Sequence, residues 1–89
     1  MHEEGINPEL WDFPCHIVFK AMALNRALIE ENIVTAIQSV LPGDYTADVR
    51  PSKKGNYVSV SVRLHLENKD QVEAVYKAVR SVPDVKMCL

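Results

Sequence analysis

The run Tyr57–Leu66, YVSVSVRLHL, restricts the fold more than any other segment. Val58, Val60, Val62, Leu64 and Leu66 alternate without a break with Tyr57, Ser59, Ser61, Arg63 and His65. Successive side chains of a strand point to opposite faces, so this pattern predicts a strand with one buried and one watered face. Such a strand belongs to a sheet covered on one side only, which excludes a parallel sheet sandwiched between two helical layers.

The covering layer is legible as two helical stripes. Ile29, Ile33, Ala36, Ile37 and Val40 recur at helical spacing, with Glu30 and Glu31 on the opposite side and Asn25 placed to cap the start. Pro42-Gly43-Asp44 ends this helix, because proline cannot continue it and glycine accepts the exit conformation. Val72, Val75, Tyr76, Val79 and Val82 form the second stripe, opened by Asn68 and Gln71 at capping-box spacing and closed by Pro83.

Three further strands complete the count. In the segment PCHIVFKAM, Ile17, Phe19 and Ala21 alternate with His16, Val18 and Lys20. YTADVR sets Tyr45, Ala47 and Val49 on one side, and DVKMCL sets Val85, Met87 and Leu89 on one side. The order is βαββαβ. It predicts an α+β, ferredoxin-like sandwich: a four-stranded antiparallel sheet of order 4-1-3-2 with two helices on one face. Residues 1–12 are expected as a flexible leader and 13–89 as a single domain, with Trp11 and Phe13 tucking the leader's end against the core.

Bulk properties narrow the function. At 89 residues the chain can build one small core. A formal net charge of −2 argues against a general nucleic-acid binder while leaving local patches open. No apolar run has membrane-spanning length and the amino-terminal stretch is acidic, so no membrane association is expected and the chain is read as cytoplasmic. Cys15 and Cys88 make neither a disulfide framework nor a CxxC site. Regular alternation would turn Cys15 toward the core and Cys88 away from it, which forbids a bridge between them.

PSKKGN at 51–56 joins two strands. It lacks the spacing and the following helix of a phosphate-binding loop, so it is read as a turn in which Gly55 and Asn56 can take positive φ. Lys53 and Lys54 are left as a small exposed anion contact.

Parity also writes out the uncovered face. Strand 1 offers His16, Val18 and Lys20, and strand 2 offers Thr46, Asp48 and Arg50. Strand 3 offers Tyr57, Ser59, Ser61, Arg63 and His65, and strand 4 offers Lys86 and Cys88. From these, Lys20, Tyr57, Ser59, Ser61, Arg63 and Lys86 are the candidate ligand- or partner-binding residues of a basic sheet backed by acidic helices. An RNA-recognition module of this topology needs aromatic platforms on its central strands, and only Tyr57 is offered, so nucleic acid is the lesser alternative. The same parity gathers His16, His65 and Cys88 at one end of the face, but no spacing is that of a metal motif and no metal is assigned. Ser59 and Ser61 lie inside a strand with no base placed beside them, so no catalytic residue and no cofactor is assigned.

FPC followed by FKAM, then PGDY, RPSKKGNYVSVSV, QVEAVYKAV and the terminal VKMCL resemble the YbeD-like family of small bacterial proteins of unknown function, over roughly residues 10–89. The resemblance implies a ferredoxin-like fold similar to ACT regulatory domains, with no known enzyme activity and no established ligand. The family often has glycine where this chain has Ala23, so the amino-acid ligand mode of ACT domains is not carried over. The resulting expectation is a non-enzymatic regulatory or adaptor domain. It would bind an unidentified protein partner or a small anionic ligand at its open sheet, or a second copy of itself along strand 2.

Overall fold

The computed structural model describes residues 11–88. Its elements run β1 (Cys15–Leu24), α1 (Ile29–Val40), β2 (Ala47–Pro51), β3 (Tyr57–Leu66), α2 (Lys69–Arg80) and β4 (Val85–Cys88). The strands form one antiparallel sheet in the order β2-β3-β1-β4, the expected order read from the other edge. The leader expected over 1–12 falls, but for its last two residues, outside the described residues, as does Leu89. Trp11 and Phe13 pack against the core with ring centroids 6.2 Å apart.

β1 and β3 pair along their whole length, Cys15 opposite Leu66 through Leu24 opposite Tyr57. Their inward residues, Phe19, Ala21, Ala23 and the five apolar residues of β3, meet Ile29, Ile33 and Ile37 of α1 and Val72, Val75, Tyr76 and Val79 of α2. Phe19 sets its ring edge-on to Tyr76, centroids 4.9 Å apart, an arrangement aromatic quadrupoles favour. Among the described residues the core holds no buried polar or charged side chain. Ala23 lies within β1 and is fully buried between Val58 and Val85, so a strand position, not a loop, stands where the family resemblance led us to compare a glycine.

Several local expectations are corrected. Asn25 does not cap α1. Its backbone N–H donates to Asn56 O and its Nδ2 to Gly55 O, both at 2.9 Å, so the chain is still held to the β2–β3 turn there. The helix instead starts after Leu28, which adopts φ 67° and ψ 7° and gives no side-chain cap. Val40 is exposed, and the last inward position of the α1 stripe goes to Leu41. β2 begins at Ala47, so Thr46 precedes it. α2 stops at Arg80, before Pro83, and Val82 packs from the following turn. The Asn68 cap holds: its side chain accepts from Gln71 N at 3.0 Å. The Gln71 side chain reaches back one residue further than a capping box requires, accepting from Glu67 N at 2.7 Å.

The largest correction concerns β4. Ala21 pairs with Cys88 and Met22 with Met87, but Ala23 pairs with Val85. Lys86 is therefore an extra residue, a β-bulge that shifts the phase of everything after it. Cys88, expected on the open face, is buried; Met87, expected in the core, is half exposed.

Candidate functional site

The face of the sheet opposite the helices carries the alternating polar set, and the register fixes its rows. Asp48, Ser61 and Lys20 lie side by side across β2, β3 and β1. The next row runs Arg50, Ser59, Met22 and Met87 from one edge to the other. Arg63 faces Val18, His65 faces His16, and Tyr57 faces Leu24. Directly opposed residues are in contact range and diagonal ones remain within reach of long side chains, so Lys20 and Arg63 can address one ligand.

A depression of about 830 Å³ opens on the β2 side of this face. Its floor is Ser59 and Ser61, and Lys20, Arg50 and Arg63 stand around them with Val18. Asp44, Asp48, Tyr45 and Thr46 form the wall on the β2 side. Four of the six expected open-face residues, Lys20, Ser59, Ser61 and Arg63, are thus brought together. The other two are not: Tyr57 opens β3 near the hairpin, and Lys86 sits in the bulge at the β4 edge. Lys53 and Lys54 are at the hairpin tip and line no part of the depression. The tip is a turn, with Gly55 at φ 78°, Gly55 N donating to Ser52 O at 2.9 Å and Tyr57 N to Ser52 Oγ at 3.1 Å. Asp48 lies 3.6 Å from Arg50, a fully solvated contact that takes part of that charge out of play.

Sequence reasoning placed Val18 on this face but missed its other two large apolar residues, Met22 and Met87. Val18, Met22 and Met87 are 54%, 40% and 50% exposed, a group of large apolar side chains on one surface. Met22 could have been found by continuing the β1 alternation two residues past Lys20. Met87 could not, because only the bulge turns it outward.

Tyr45 stands in that wall. Burial pushes its phenol above the ordinary value, and its hydroxyl donates to Leu41 O at 2.7 Å.

At the far end of the face, His65 Nδ1 lies 3.0 Å from His16 Nε2, and His65 Nε2 lies 2.6 Å from Glu67 Oε2. The expected third member, Cys88, is absent from this group because it pairs with Ala21 and faces inward. That places it five residues along β1 from His16, roughly 17 Å at strand rise. Among the described residues no three His, Cys, Asp or Glu side chains converge as metal ligands. Neither cysteine is in a disulfide. Separation along the strand keeps Cys15 and Cys88 apart, not the opposite facing inferred from alternation.

Among the described residues no helix is long and apolar enough to cross a membrane. Residues 8–89 match the family model described as a protein of unknown function, DUF493. Curated relatives include UPF0250 proteins of Idiomarina loihiensis and Edwardsiella ictaluri, each 40% identical over 81 residues. These alignments span 91% of this chain and 92% and 93% of the relatives. A UPF0250 protein of Vibrio cholerae is 41% identical over 81 residues, covering 91% of this chain and 88% of its own. Among solved structures, an H. pylori protein determined in solution superposes with a TM-score of 0.75 at 12% identity, over 100% of this chain and 94% of that one. The ACT domain from GTP pyrophosphokinase of Chlorobium tepidum superposes with a TM-score of 0.62 at 12% identity, over 83% and 94%. The chain therefore belongs to the DUF493, or UPF0250, family of proteins of unknown function, the YbeD-like family its motifs resemble, and carries that family's sequence on an ACT-like, ferredoxin-like fold.

Proposed function

We propose that this protein is a small, non-catalytic regulatory or adaptor domain that docks a partner protein through its uncovered sheet face. The observation that carries the reading is the make-up of that face: exposed Val18, Met22 and Met87 beside the cations Lys20, Arg50 and Arg63. Exposed apolar side chains interleaved with cations are the composition of a protein interface, and a solvated sheet has no need of three large apolar side chains on one face. The rim charge selects a partner segment with acidic residues flanking an apolar anchor. ACT-like folds typically serve regulation, which supports the class of function by analogy only. A small anion held by Lys20 and Arg63 over Ser59 and Ser61 is the second reading, supported by the depression those residues line.

A photo-crosslinking amino acid at Val18, compared with one at Glu73 on the exposed side of α2, tests the docking reading in cells. The expected result is a discrete protein adduct from position 18 alone, lost with Lys20→Glu plus Arg63→Glu and kept with the charge-matched pair Lys69→Glu plus Lys77→Glu in α2. Equal adducts from both faces, or an adduct indifferent to the reversal, would overturn it.

A further inference from the structure

We propose that His16 and His65 form a binding site for one divalent first-row transition metal of the Cu²⁺ or Ni²⁺ type, with Glu67 as its supporting carboxylate. The site lies apart from the depression and does not rest on the docking reading.

The register sets the two histidines directly opposite each other, and both are exposed on the open face. A carboxylate can only accept, so the 2.6 Å contact with Glu67 places a proton on His65 Nε2. In the metal-binding form, with both rings neutral, His65 carries its lone pair on Nδ1, which faces His16 Nε2 at 3.0 Å. In the metal-free protein His16 Nε2–H donates across that gap. A metal entering the gap takes both nitrogens, and the His16 proton moves from Nε2 to Nδ1.

The separation fits a cis pair of metal ligands. Metal–imidazole bonds are about 2.0–2.1 Å. With nitrogens 3.0 Å apart, such bonds enclose an angle of roughly 91–97° at the metal. That is the cis angle of square-planar or octahedral coordination, favoured by Cu²⁺ and Ni²⁺. The tetrahedral angle of Zn²⁺ would require the nitrogens roughly 3.3–3.4 Å apart. Glu67 completes a carboxylate–histidine–metal arrangement, which fixes the ring and raises the basicity of the ligating nitrogen. Only two protein donors are supplied, in agreement with the absence of a three-residue cluster among the described residues. Water fills the remaining positions, so the bound metal stays open to a further ligand.

The test uses the full chain carrying His2→Ala, which removes the third imidazole of the sequence. Substoichiometric Cu²⁺ should broaden the ring signals of His16 and His65 before any others, saturating at one metal per chain. Ni²⁺ titration should show His16→Ala and His65→Ala each weakening binding by on the order of 100-fold, since each reduces a chelate to a single ligand. Glu67→Gln should weaken it about tenfold while keeping the stoichiometry. Broadening centred anywhere else, or Ni²⁺ affinity unchanged in His16→Ala, would overturn the proposal. Because all three side chains are exposed, a folded amide spectrum is expected for each variant.

Discussion

Leu28 holds a left-handed backbone, φ 67°, with its side chain 63% exposed at the entrance to α1. A non-glycine residue there costs roughly 1 kcal/mol through its Cβ, and an exposed leucine recovers little of that by packing. Leu28→Gly should therefore leave stability unchanged or raise it by up to about 0.5 kcal/mol, read from urea unfolding, once glycine's extra unfolded-state freedom is counted. Gly55 is the converse case. At φ 78° an added Cβ would meet open space, so Gly55→Ala is expected to destabilise through backbone strain alone, by roughly 1 kcal/mol in the same assay. Tyr45 gives a pH dependence. Its phenol pKa is raised by burial above the ordinary 10.0, so the folded chain holds that proton more tightly than the unfolded one. The resulting stabilisation is complete below the unfolded value and is lost as pH rises through the folded value. Urea midpoints measured from about pH 9 to about pH 11 should fall more steeply for the parent than for Tyr45→Phe. The variant starts lower, because it lacks the bond to Leu41 O.

At the level of elements, patterns set by burial were legible in the sequence and those set by backbone detail were not. β3 is read correctly to the residue because ten alternating positions leave one phase only. The start of α2 is read correctly from its Asn68 cap and most of its stripe, though the helix ends at Arg80, and Asn68→Ala should cost about 1 kcal/mol, measured by thermal or urea unfolding. The start of α1 was illegible: Asn25 has the chemistry of a cap, but the sheet holds it, and a leucine in a left-handed conformation leaves no compositional signal. β4 was misread because a four-residue strand is too short to reveal a bulge by its own periodicity. That error propagated into the site, bringing Cys88 onto the open face and hiding Met87. Cys88 supplies a direct check. In a Cys15→Ser background its thiol should resist a soluble thiol reagent until the strand opens, and deletion of Lys86 should leave it protected, since removing the extra residue keeps every face as it is. Rapid labelling of folded protein would contradict the inward assignment.

The whole molecule is two layers with unlike surfaces. α1 presents Glu30 and Glu31 with no basic residue, whereas α2 mixes Lys69, Lys77 and Arg80 with Asp70 and Glu73, so the acidic back expected from sequence is confined to one helix. The open sheet joins a cationic half, around Ser59 and Ser61, to an apolar half along β1 and β4. The cationic half was legible from parity, as was Val18, and the rest of the apolar half was legible only in part: Met22 follows from the β1 alternation, whereas Met87 depends on the bulge. Midway along the central strands this face offers serines, a valine and a lysine where base stacking would need aromatic rings, and Tyr57, His16 and His65 stand only at the strand ends, so single-stranded nucleic acid lacks a continuous platform. The central claim, that this face docks an acidic, apolar-anchored protein segment, is met most directly by the backbone amide spectrum of the labelled chain. It would be titrated at low salt with acidic peptides bearing apolar anchors, with an anionic metabolite pool and with a short oligonucleotide, while relaxation reports its size. The account predicts peptide-induced shifts confined to residues 18–22, 59–63 and 86–88 and abolished by Lys20→Glu with Arg63→Glu. Shifts on the helices, or a response to the oligonucleotide in place of the peptides, would contradict it, as would a dimer's tumbling rate with those same residues already protected.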